Sequence, residues 1–287
     1  MDPFRARLAW SLIALALAFA SFGPILNDEQ EQATAFSNVL HGHLRIVERP
    51  EQLVLKSDNI TGYNMYGGDV PFASTAVSIV SLPVAWATWS IDHVLPFRLA
   101  LGILFAVALW RTVGLAWPTA PRSRMLGVAA GLGLVLAASW ATQGFRAHSP
   151  NLAYHLAIVA PKLANLVLFV LAGLLVDRVV ARHTPSRAVR AWCVFLLALG
   201  PFLFWSQSLK QHTLSAFLVL AALEVLHWPA GRRRWIMLGV VTAMAVWVHL
   251  AGGLIVVAGA AIACVPEIAF ANASPFLTGD NGGQLIR

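Results

Sequence analysis

The amino-acid sequence predicts an all-α membrane protein, with about eight spanning helices and one helix at the outer interface. Three observations predict it. Hydrophobic residues make up 58% of the 287-residue chain and charged residues only 11%, where a soluble domain carries about 25% charged residues. Apolar runs close to spanning length recur along the chain, separated by short basic loops. When those runs are threaded as spans, the arginine-rich loops all fall on one side, the distribution that sets membrane topology. The net charge of +7 sits in these loops, and no basic groove interleaved with aromatics suggests nucleic acid. Cys193 and Cys264 lie in apolar segments and read as small buried residues, without a disulfide framework.

The first span is expected over Leu8–Leu26, behind Arg5 and Arg7. Ala18-Phe19-Ala20 resembles a signal-peptide cleavage site, but the apolar run continues to Leu26, so an uncleaved helix with a cytoplasmic N-terminus is expected. Residues 27–97 form the first outer loop of a membrane domain covering 1–271. Within it, Ala33, Phe36, Val39, Leu40 and Leu44 fall on one helical stripe. Residues 48–61 read as irregular, with Asn59-Ile-Thr61 a glycosylation sequon. Gly62-Tyr-Asn-Met-Tyr-Gly-Gly68 is a turn before a proline-initiated helix. Pro71–Trp89 is expected to lie along the outer face or dip into it, because a full crossing would place Arg111, Arg122 and Arg124 outside.

The remaining spans follow from the same charge rule: Leu99–Trp110, Met125–Thr142, His155–Val176, Ala191–Trp205, Thr213–Leu226, Trp235–Val248 and Leu254–Ala269. Residues 272–287 are rich in Gly, Asn and Pro and read as a frayed or truncated tail.

The most distinctive stretch is Asn27–Gly42, NDEQEQATAFSNVLHG, which places Asp28, Glu29 and Glu31 where the chain leaves the first span. Two readings stand beside each other. Asn27 or Asp28 can cap the following helix, with Glu29 and Glu31 favourable to its dipole. Alternatively, a carboxylate held at the membrane surface can act as a general base on a lipid-linked substrate. His41 and His43 lack a third ligand nearby, and no metal or cofactor is called for. Tyr63 and Tyr66 can line a cleft or anchor the loop at the interface. Arg146, His148, Lys210 and His212 fall in short outer loops, where cations can meet a phosphate or merely snorkel. His249, beside Gly252 and Gly253, suits a cleft or an interface equally. Lys162 lies inside an apolar helix, where an ionisable group is costly and by default functional.

Three stretches carry a resemblance to a known family: Asp28-Glu29 after the first helix, Gly62 to Pro71 continuing to Pro83, and Trp205-Ser-Gln-Ser-Leu-Lys-Gln-His-Thr-Leu-Ser-Ala216. The arrangement resembles the polyprenyl-phosphate-dependent glycosyltransferases of the C-type membrane fold, which include the protein mannosyltransferases and the lipid A aminoarabinose transferase. The resemblance implies sugar transfer from a polyprenyl-phosphate donor to a lipid, protein or glycan acceptor at the outer face of a plasma or inner membrane. It implies Asp28 as the base and Glu29 as its support. Lys210 and His212 depart from the pattern, since many relatives carry an acid there. Family members also continue with further helices, so a shortened, inactive relative is a second expectation. The competing class is a multi-pass transporter or flippase. The lack of an internal repeat and the gathering of polar residues at one face weigh against it.

Overall fold

The structure is a computed structural model that describes residues 2–22, 33, 36, 40, 76–142, 152–208, 211–249 and 253–263. Among these residues the regular structure is helical, with no strand. The helices in chain order are α1 (Pro3–Ala18), α2 (Ala76–Asp92), α3 (Phe97–Ala116), α4 (Arg122–Thr142), α5 (Leu152–Val180), α6 (Arg187–Ala198), α7 (Pro201–Ser206), α8 (His212–Leu226), α9 (Arg232–Val248) and α10 (Gly253–Ala263). Three helices, Phe97–Ala116, Arg122–Ala141 and Ile158–Val180, are long and apolar enough to cross a membrane.

The bundle is built around α5. Its 29 residues extend about 43 Å at 1.5 Å per residue, and α1, α2, α6, α7 and α8 all pack on it. The polar Lys162, Asn165 and Asp177 of α5 need partners, and its small Ala160, Ala164, Ala172 and Gly173 let neighbours approach closely, the two features that draw helices together in a membrane. Val159, Leu166, Phe169 and Ala172 join Leu8, Leu12 and Leu17 of α1 and Val194 and Phe202 of α6 and α7 in the main core. A second core joins Leu168 to α8, α9 and α10.

Contacts along α5 give its neighbours their directions. α1 runs antiparallel to it, with Arg5 on Asp177 at one end and Leu12 beside Gly173 in the middle. α6 and α7 climb the same way, from Arg190 on Asp177, past Phe202 on Phe169 (ring centroids 5.4 Å apart), to Ser208 on Asn165. α8 then descends to Glu224, which Arg178 and Arg182 hold at 2.8 and 2.6 Å. α3 starts beside Phe22 and α4 ends there, through the rings of Phe97 and Trp140. Consequently the loops holding Arg111 to Arg124, Arg178 to Arg190 and Arg232 to Arg234 gather at the Arg5 end. The opposite end is formed by Phe22, Trp140 and Ser208.

Most expected spans coincide with a helix, but two details differ. The expected span Ala191–Trp205 is two helices, because the turn at Leu199 and Gly200 precedes Pro201, the first residue of α7. A proline disfavours helix in the residue before it and is itself suited to a first helical position. The first helix stops at Ala18, where the Phe19 amide closes on Leu15 at 3.2 Å.

α2 is described from Ala76 to Asp92, and the expected start at Pro71 lies outside the described residues. It packs lengthwise on α5: Val77 joins the core of Leu168, whereas Ala85 joins Ile158 and Ala160. In the expected outer-loop stripe, Ala33 and Phe36 are fully buried against Ala85, Ile158 and Ala160, with Leu40 packed beside them.

Candidate functional site

Polar residues inside an apolar bundle need partners, since an unpaired buried amide or hydroxyl costs about 1–3 kcal/mol. Apart from the buried ion pairs of Asp177 and Glu224 at the Arg5 end, a group of them forms one layer at the opposite end. On α5, Lys162 and Asn165 are 1% and 0% exposed and share a helix face by their spacing of three. Pro161 precedes them and has no N–H for the carbonyl one turn back, which loosens the helix at this level. The facing wall is the end of α7 and its turn into α8, where Ser206, Gln207, Ser208 and Thr213 are buried.

Directed bonds tie the layer together. Asn165 donates Nδ2 to the Ser208 carbonyl at 2.7 Å. Gln207 accepts from the Ser21 amide at 3.0 Å and donates Nε2 to the Ser206 hydroxyl at 3.2 Å. Trp140 donates Nε1 to the Ala20 carbonyl at 3.0 Å, closing the chain after α1 against α4. Ala20 and Ser21, just beyond α1, are thereby fixed to α4 and to the turn after α7.

Beside the layer runs a row of rings. The centroids of Trp205 and His212 are 4.1 Å apart, and His212 lies 6.4 Å from His249 at the end of α9. His212 is half-buried and His249 exposed. An ammonium, two carboxamides, hydroxyls and two imidazoles beside an indole can hold a hydroxyl-rich or anionic group and stack on a ring face.

Of the residues expected in a site from sequence, His212 and His249 are brought together here. Asp28, Glu29, Tyr63, Tyr66, Arg146, His148 and Lys210 lie outside the described residues. Lys162, singled out as an ionisable group in an apolar helix, stands in the layer itself. Asn165 was not singled out, although it is the polar residue one turn after Lys162, and Gln207 entered only as part of the Trp205–Ala216 stretch. Asp177 and Glu224 were not singled out either. Each is a lone acid at the edge of an apolar run, which reads as loop charge until its arginines are seen around it.

Comparison with protein-family models, curated proteins and solved structures finds no match to this chain.

Proposed function

We propose that this chain is a multi-pass membrane glycosyltransferase of the C-type kind, taking a sugar from a polyprenyl-phosphate donor at the outer face. The observation that carries the reading is the buried polar layer around Lys162, Asn165 and Gln207 at the end away from the arginine-rich loops. With those loops on the cytoplasmic side, the layer belongs to the outer half of the membrane. Lys162 lies 15 residues before Asp177 on α5, about 22 Å up a hydrocarbon core of about 30 Å.

Phe22 and Ala33, the described residues on either side of the acidic pair in sequence, both pack near that end of the bundle. Asp28 is six residues after Phe22 and five before Ala33, and a chain covers at most about 3.6 Å per residue. Phe22 packs on Trp140 and Phe97, and Ala33 packs by Ile158. In this reading the isoprenoid tail lies between helices and outer-face cations meet the phosphate. Asp28 takes the proton from an acceptor hydroxyl or amine as its oxygen or nitrogen attacks the sugar carbon, and the lipid phosphate leaves. Trp205 and His212 offer the sugar a stacking face and a hydrogen bond.

Cells lacking the protein, complemented with wild type or with Asp28→Asn, test this through their glycan and glycolipid profiles. The reading expects one glycoform to be missing, restored by wild type and not by an equally expressed Asp28→Asn. Restoration by both would leave Asp28 as a helix cap.

A transporter or flippase is the second reading, favoured by one observation. α6 and α7 form a broken helix packed on α5, and broken helices flank the substrate sites of many carriers. Unchanged glycans together with loss of a lipid's outward movement would favour it.

A further inference from the structure

We propose that the cleft between α3 and α4 at the arginine-rich end binds an anionic phospholipid, one acyl chain in the cleft and the phosphate on Arg124 and Arg122. The proposal rests on residence in a membrane and is independent of sugar transfer.

Helix contact makes the cleft. α3 and α4 touch backbone to backbone at Gly102 and Gly133, where a Cβ on Gly102 would lie 2.6 Å from the Gly133 carbonyl oxygen. Two to three turns further along α3 the side chains at Leu109, Trp110 and Val113 are larger, and the helices cannot keep that separation. The resulting space of about 450 Å³ is lined by Leu109, Val113, Met125, Val128 and Leu132, with Arg124 its one charged wall residue. Small-molecule sites commonly occupy about 300–1,000 Å³.

Charge selects the occupant. Arg122 and Arg124 form no ion pair with any described residue, and Arg111 lies over the Trp110 ring at 5.3 Å. The described acids at this end are otherwise engaged: Asp2 caps α1, Asp177 holds Arg5 and Arg190, and Glu224 holds Arg178 and Arg182. Two cations in the first turn of α4, which has no acid, also oppose the helix dipole. An anion placed there satisfies both arginines and the dipole. An apolar cleft ending in arginines at the level of the loops matches a phospholipid, which joins an apolar chain to a phosphate.

The test is native mass spectrometry of the purified full chain in detergent, with phosphatidylglycerol and phosphatidylcholine of identical chains supplied together. Retained phosphatidylglycerol is expected to exceed phosphatidylcholine roughly thirtyfold, from two arginines near the headgroup. The double variant Arg122→Gln, Arg124→Gln is expected to bring the ratio close to one. Val128→Trp, which fills the cleft from an exposed position, is expected to lower retention of both lipids severalfold, while Leu134→Trp leaves it unchanged. Arg187→Gln removes one charge from another loop and is expected to leave the ratio unaltered. A wild-type ratio near one, or an equal loss with Arg187→Gln, would overturn the proposal. So would displacement of the lipid by inorganic phosphate at the same concentration, since the chain would then contribute nothing.

Discussion

Arg190 holds Asp177 at two points, Nε to Oδ1 at 2.7 Å and Nη2 to Oδ2 at 2.9 Å, where the carboxylate has no exposed surface. Arg5 adds a third bond at 2.9 Å, and the Arg190 guanidinium also lies over the Phe4 ring at 4.7 Å. One carboxylate therefore joins α1, α5 and α6.

Asp177→Asn removes the charge that both arginines face. It is expected to destabilise the protein by about 3–5 kcal/mol, the usual cost of breaking a buried pair from one side. Arg5 is 40% exposed, so Arg5→Gln is expected to cost only about 0–1 kcal/mol. Thermal unfolding in detergent separates the two, and equal losses would show that the pair is not the lock described.

Glycine substitutions divide by position. Gly102→Val forces the α3 and α4 backbones apart and is expected to cost about 1–3 kcal/mol. Gly127 has nothing within 4 Å of a built Cβ, so Gly127→Ala is expected to be neutral or to stabilise by up to about 1 kcal/mol. The same melts measure both.

Asn165→Leu leaves the Ser208 carbonyl without its donor, for a loss of about 1–3 kcal/mol. Under the proposed function it also lowers transfer activity by more than its stability loss explains. Activity and unfolding measured on one preparation decide whether Asn165 serves the site or only the fold.

Under the proposed function, Asp28→Asn is expected to lower turnover by about 10²–10⁴ without shifting the melting midpoint, as for a general base. A lowered midpoint with retained turnover would make the residue a cap.

Much of the helix order was legible because apolar length and loop charge are carried by many residues at once. The stripe Ala33, Phe36, Leu40 was legible for the same reason, and it packs as its spacing predicts. Single-residue events were harder to read. The break at Gly200 and Pro201 divides an apolar run whose composition is continuous on both sides. Lys162 stood out because a charge in an apolar helix is rare, whereas Asn165 and Gln207 gain meaning only from the carbonyl and amide they meet. Asp177 sits beside a basic loop and looks solvated in one dimension, although its partner Arg5 is 172 residues away.

That separation has a consequence for how the chain is made. At about 5–20 residues per second, roughly ten to thirty seconds of synthesis pass between the appearance of Arg5 and that of Asp177. α1 can pack on α3 early, but until α5 is threaded its charged end has no counterpart there. An insertion factor that shelters α1 has that interval in which to act, and weakening the Arg5 contact lengthens the wait.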